Sequence, residues 1–285
     1  MPALMKSASA ECSALKYVTA NDFWVDRRRF PDFFILGPQR TGTTWLYENL
    51  RFHPQIMMPT IKETHFFSSL TDPYSKFHHS TELSWYLSYF SEARGDKLKK
   101  IFRCLLELGE RYNPIVKGEA SASYAALHED VIQDIVHLNP GLKLIMIVRD
   151  PVMRAWSHAR KDLMWEMQRS IDDISEKEFE EFFTDRYVFR CSLFTENIER
   201  WTQVFGPKAL FIGWFSDIQN RPVRLLSEIT AFLGVSGQDS YVPFNHRQVI
   251  NSMPDCPIPP RVLRLLKDMH ANERSRLMKR FGRYN

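Results

Sequence analysis

Two glycines five residues apart, Gly37 and Gly42, frame the segment Gly37-Pro38-Gln39-Arg40-Thr41-Gly42-Thr43-Thr44, which ends in hydroxyl side chains. Such a segment turns its backbone amides inward, and at the start of a helix those donors and the helix dipole cradle a phosphate. The nucleoside-triphosphate form of this loop, G-x-x-x-x-G-K-[ST], carries a lysine directly after the second glycine. Here Thr43 holds that position and Arg40 is the only cation in the loop. The missing lysine argues against ATP or GTP hydrolysis, because its ammonium reaches the β- and γ-phosphates.

A loop with a displaced cation suits a shorter anion, such as one phosphate carrying a sulfuryl group. A second anion clamp lies in the middle of the chain. Arg149 ends an apolar run, and Ser157 follows eight residues later. A guanidinium fork with a hydroxyl two helical turns on can hold another phosphate. Ligands of parallel sheets collect at the carboxyl ends of strands, so the Arg149 end and the Gly37 loop are expected to face one crevice. Between them stands Lys62-Glu63-Thr64-His65-Phe66-Phe67. In an extended segment Glu63 and His65 share a face, and either can serve as a general base. Lys62 is either a contact to the transferring group or an ordinary solvated lysine. His78 and His79 read as a loop pair, and no His/Cys/Asp spacing points to a metal.

The elements that must position these groups alternate. Asp32–Leu36 is a short apolar strand leading into the glycine loop, followed by a helix over residues 43–50 that Pro54 ends. Leu142–Val148 is a second strand, with Asp150 placed to cap the next helix and Pro151 at its first position. Ala209–Trp214 is a third, followed by a helix over Val223–Leu233 that Gly234 closes. Residues 160–205 read as mostly helical, and the Pro-rich stretch 254–260 leads into a C-terminal helix. The fold class expected is α/β, a phosphate-loop parallel sheet flanked by helices on both faces. Residues 1–30 read as a tail or peripheral helix, and 31–285 as one domain.

Composition sets the outer bounds. Hydrophobic residues make up 44% of the 285, enough for a core rather than pervasive disorder. The 38 basic and 34 acidic residues nearly balance, which is not the concentrated basic face of a nucleic-acid binder. Cys12, Cys104, Cys191 and Cys256 form no C-x-x-C pair, so a reduced chain is the simpler reading, although a disulfide remains open. The N-terminus lacks the apolar core of a signal peptide, and no stretch approaches the ~18 apolar residues of a membrane span. A cytoplasmic protein without an integral membrane segment is expected.

Together the motifs resemble the sulfotransferases that use 3′-phosphoadenosine-5′-phosphosulfate (PAPS). GPQRTGTTWL at 37–46 is similar to the family's 5′-phosphosulfate loop, and IVRDPVMRAWSHA at 147–159 to its 3′-phosphate motif. KETHFF at 62–67 is similar to the K-E-x-H-F-F segment of heparan-type and related carbohydrate sulfotransferases. LFIGWFSDI and LLSEITAFLGV resemble the family's late strand and helix, so the resemblance runs from about residue 33 to 235.

This resemblance implies PAPS as co-substrate, 3′,5′-adenosine bisphosphate as product, and no metal. It implies that Arg40, Thr41, Gly42, Thr43, Thr44 and Trp45 bind the 5′ end, and Arg149 and Ser157 the 3′-phosphate. Glu63 is then favoured over His65 as the base, with Arg40 and Lys62 beside the transferring group. Lys117, Glu119 or Ser121 is either an acceptor-positioning group or a plain strand end. The acceptor implied is a carbohydrate, glycolipid or similar polyhydroxy compound, and the aromatic stretch from Tyr74 to Phe90 either lines its groove or is plain core. Arginine replaces the loop lysine of many members, and the cytosolic members' C-terminal R-K-G loop is not visible. Arg247 or the Arg261 region is expected to close over the adenine side. A P-loop kinase of a small metabolite, or a non-catalytic nucleotide-binding protein, are the alternatives.

Overall fold

The computed structural model describes residues 15–19, 29–237, 241 and 256–284. Its centre is Phe33–Gly37 (β1), five consecutive buried residues. Ile56–Met57 (β2), Val116–Ala120 (β3), Lys143–Val148 (β4) and Leu210–Trp214 (β5) join it in the order β2-β3-β1-β4-β5, all parallel. Phe33 stands opposite Gly118 on one side and Lys143 on the other.

Alternation along the strands decides which face each side chain covers. Phe34, Leu36, Met146 and Val148 enter one apolar cluster, with the helices Glu129–Leu138 and Phe194–Phe205 packed over them. Phe33, Ile35, Ile145 and Ile147 enter another, under Thr43–Leu50 and Pro222–Leu233. A run buried on both faces must be apolar throughout, which is why β1 and β4 read as continuous hydrophobic stretches. A third cluster lies outside the sheet, where Trp156 of Pro151–Ala159 packs with Phe179 and with Leu266 of Pro260–Phe281. The expected α/β architecture is therefore the observed one.

Details differ from the sequence reading for local reasons. Pro207–Ala209 forms a 3-10 turn, so β5 starts at Leu210, and Pro222 supplies the first turn of the following helix. The helix from Pro151 continues as a π-helical segment over Arg160–Glu166. Two-residue β2 is too short for any periodicity to betray it. Of the segment read as an N-terminal tail, residues 15–19 dock on the sheet domain. The Asp134 carboxylate accepts the backbone N–H groups of Lys16, Tyr17 and Val18 at 2.7–3.0 Å, and Val18 joins the core. Residues 1–14 and 20–28 of that segment lie outside the described residues, as does Arg247. Among the described residues no helix is long and apolar enough to cross a membrane.

Candidate active site

The glycine loop sits where β1 meets its helix. Gly37 has φ 96° and Gly42 φ 87°, the left-handed region that a side chain resists. Space is short as well: a Cβ on Gly37 would stand 2.4 Å from the Ala122 carbonyl oxygen, and one on Gly42 2.5 Å from Ile218 Cδ1. The loop is thus wedged between the turn after β3 and the segment after β5. Thr41 is fully buried, and its hydroxyl donates to the Pro38 carbonyl at 2.7 Å. Its hydroxyl therefore braces the loop. The Trp45 indole is buried in the second apolar cluster.

The second motif meets the first directly. Asp150 Oδ1 caps its helix by accepting from the Met153 amide at 2.9 Å, with Pro151 at the first position. This places Ser157 two turns along, where its hydroxyl accepts from Arg40 Nε at 3.0 Å. Arg149 Nη1 donates to the Arg40 carbonyl at 2.7 Å, and its guanidinium lies 4.1 Å from the centre of the Phe215 ring. Among the described residues no carboxylate is within ion-pair distance of Arg40 or Arg149. Burial brings the Arg149 guanidinium down to about 10, aided by the nearby Arg40 and Arg154 cations, so it stays charged at neutral pH. Burial likewise lowers Arg40. Two half-buried cations held together, with no carboxylate at ion-pair distance among the described residues, suit an anion.

The KETHFF segment is not the extended segment expected. Glu63 and His65 have φ 64° and 55°, and a helix begins at Phe66. Thr64, between them, turns inward onto the Glu119 carboxylate. The common face survives by another route: Glu63 Oε2 accepts the Ala122 amide at 2.7 Å, and His65 Nδ1 lies 3.2 Å from Ser123 Oγ. Lys62 pairs with the Glu63 carboxylate rather than standing in solvent. Since Ala122 also abuts Gly37, Glu63 is one residue removed from the anion loop. The His65 ring stacks on Phe77 at 4.1 Å, and burial holds its pKa below the usual histidine value.

Glu119 and Ser121 are interior groups. Glu119 is 1% exposed and accepts from Thr64, Tyr86 and Ser121, a closed cluster that fixes the 64–67 turn on β3. Burial raises its pKa. The Lys117 backbone N–H donates to Asp32 Oδ2 at 2.7 Å, near the start of β3 and away from its carboxyl end. The aromatic stretch divides: Tyr86 and Phe90 are core, while Tyr74 is almost wholly exposed. Arg261 makes an exposed ion pair with Glu176. Sequence reasoning missed Phe215, the Ala122 amide and Arg154, whose guanidinium is fully buried on Ser192 Oγ and the Val188 carbonyl. Only Arg154 left a signal, as the second arginine in IVRDPVMRAWSHA. Among the described residues no group of three or more His, Cys, Asp and Glu could hold a metal ion.

The sheet order, the loop at the end of β1 and the helices on both faces define a phosphate-loop α/β protein. The sulfotransferase-domain family model matches residues 30–254, and the chain belongs to that family. It is 28% identical over 243 residues to bifunctional heparan sulfate N-deacetylase/N-sulfotransferase 4 of Mus musculus, covering 77% of this chain and 24% of that protein. It is 30% identical over 179 residues to carbohydrate sulfotransferase 15 of Mus musculus, covering 53% of this chain and 30% of that one. The chain thus spans about a quarter of the length of the first relative. A solved sulfotransferase from Alicyclobacillus acidocaldarius shares the fold, with a TM-score of 0.62 at 23% identity over 89% of this chain and 96% of that one.

Proposed function

We propose that this protein transfers a sulfuryl group from PAPS to a hydroxyl or amine of a carbohydrate, glycolipid or similar acceptor. The observation that carries this reading is the junction of the two anion motifs, Arg40 on Ser157 and Arg149 on the Arg40 carbonyl, with no carboxylate within ion-pair distance of either cation among the described residues. A donor bearing phosphates at two separate places matches two joined clamps better than a linear triphosphate does. In this reading Arg40 and the amides of Thr41, Gly42, Thr43 and Thr44 take the 5′-phosphosulfate. Arg149 and Ser157 take the 3′-phosphate, and the Phe215 ring backs the Arg149 guanidinium.

Transfer forms a bond from the acceptor oxygen or nitrogen to sulfur and breaks the bond from sulfur to the bridging oxygen. Negative charge grows on that oxygen as adenosine bisphosphate leaves, and Arg40 stabilises it. The acceptor's proton passes to Glu63, whose carboxylate the Ala122 amide orients and Lys62 pairs with. Neutral His65 is the competing base. A carbohydrate acceptor draws support from the two relatives named above, and guanidinium groups rather than a metal balance the charge. Among the described residues the cysteines, Cys104, Cys191 and Cys256, are free thiols, which suits a reducing compartment such as the cytoplasm.

The test is incubation with radiolabelled PAPS and a panel of saccharides, glycolipids and phenols, with labelled ATP in parallel. Label transfer from PAPS alone is the expected result. Transfer from ATP alone would establish a kinase, and bisphosphate binding without any transfer would establish a nucleotide-binding protein.

A further inference from the structure

A surface helix ordinarily buries an apolar stripe and turns its charges to water. The helix Arg94–Leu108, which precedes β3, does the reverse. Of its 15 residues only Cys104 is buried. Cations hold it to its neighbours. Lys100 donates to Glu92 at 2.6 Å and to the Met58 carbonyl at 3.5 Å, and Arg103 donates to the Arg51 and Phe52 carbonyls at 3.3 Å. The large apolar side chains face outward instead. Leu98, Phe102, Leu105 and Leu106 are all exposed, Phe102 at 65% and Leu106 at 84%. At about 3.6 residues per turn these four form one stripe, on the far side of the helix from Cys104.

Charge decides what can cover such a stripe. By the same pitch Arg94 and Lys99 stand on its two flanks, and both are exposed. The carboxylates of the helix, Asp96 and Glu107, fall round the other side. Lys99 shares an ion pair with Asp96 at 3.3 Å, but an exposed pair of this kind is worth little in water. Glu110, past the Gly109 cap, is taken by the Tyr241 hydroxyl. A second copy laid on the stripe would thus bring no acid of this helix to the flanking cations, in either orientation. The surface of an anionic bilayer supplies both complements: acyl chains for the leucines and Phe102, and headgroup charge for Arg94 and Lys99, whose long stems reach it. A helix this short and this charged lies on a bilayer rather than spanning it.

We propose that the outer face of Arg94–Leu108 is a docking surface for an anionic lipid bilayer, with Leu98, Phe102, Leu105 and Leu106 entering it and Arg94 and Lys99 meeting the headgroups. This docking is independent of which donor the active site takes.

The experiment is co-sedimentation of the full chain with vesicles of phosphatidylcholine, alone or mixed with phosphatidylserine, and sedimentation velocity on the protein without lipid. Native protein is expected to bind the mixed vesicles about tenfold or more tighter than the neutral ones, less so as salt is added. Phe102→Ser with Leu106→Ser, and separately Arg94→Glu with Lys99→Glu, are each expected to weaken that binding about tenfold or more. All four side chains are exposed, so urea midpoints should stay near native. The charge pair also keeps the test open should the serine pair unfold. Equal binding to both kinds of vesicle overturns the proposal, as does absence of binding, or native-like binding by either folded double variant. A native dimer that Phe102→Ser with Leu106→Ser turns into a monomer would put a second copy on the stripe, and would overturn it as well.

Discussion

The backbone of Ala122 lies so close to Gly37 that a Cβ there would sit 2.4 Å from its carbonyl oxygen and 2.6 Å from its Cα. The same Ala122 donates its amide to Glu63 at 2.7 Å. One residue thus sets the spacing between the anion loop and the proposed base.

Replacing Gly37 with alanine should therefore act twice. The new methyl meets backbone, which cannot rotate away, and the φ of 96° strains any L side chain. A loss of about 1–3 kcal/mol of stability is expected, together with weaker adenosine bisphosphate binding. Urea unfolding and calorimetry on one preparation of Gly37→Ala check both effects. An unchanged midpoint and affinity would refute the wedge.

Arg40→Ala and Arg149→Ala should each lower bisphosphate affinity about 10- to 100-fold, the value of one or two charge-assisted hydrogen bonds. Ser157→Ala removes a neutral hydroxyl and should cost less. Because neither arginine has a carboxylate partner among the described residues, thermal midpoints should change little. Variants that unfold instead would mean that these cations hold the fold rather than a ligand.

Glu63→Gln keeps the size of the side chain and removes its basicity. Turnover should fall about 10²- to 10⁴-fold while bisphosphate affinity stays within a few-fold of native. His65→Ala should have the smaller effect on turnover. The reverse ranking, read from single-turnover rates with saturating donor, would make His65 the base.

The acid limb of the stability profile should report His270. The ring is 1% exposed, stacks on Phe189 at 5.6 Å, and its Nδ1 has no hydrogen-bond partner among the described residues. Burial, with the Arg154 and Arg274 cations nearby, pushes it down from 6.5 to about 4. Between those values the unfolded chain binds the proton and the native protein does not, so this contribution is complete above 6.5 and is lost as the pH falls toward about 4. The size expected is about 3 kcal/mol. His270→Gln should flatten that slope in urea melts followed from neutral pH down to about pH 4.5. A slope equal to native would exclude His270 as its source.

Both anion motifs were readable from residue types because each is local. Gly37 and Gly42 mark a turn that only glycine tolerates, and Asp150-Pro151 starts a helix whose pitch puts Ser157 two turns on. β1 and β4 were readable because a strand buried on both faces admits nothing but apolar side chains. β2 was not, since two residues carry no period. The extended reading of KETHFF failed because Thr64 is drawn inward by Glu119, 55 residues away, and the backbone takes positive φ on either side to allow it. Phe215 under Arg149 left no local trace, because contacts made across strand ends have no fixed sequence spacing.

Residue order alone thus determined the fold class and the glycine turn after β1, through steric and periodic rules that act within a few residues. Tertiary structure alone decided that Arg40 would reach Ser157, 117 residues on, and that among the described residues no carboxylate would come within ion-pair distance of the pair. It also decided that Glu63 would answer to the Ala122 amide beside Gly37. These relationships depend on how parallel strands order themselves in a sheet, and that order is set by packing of the whole core.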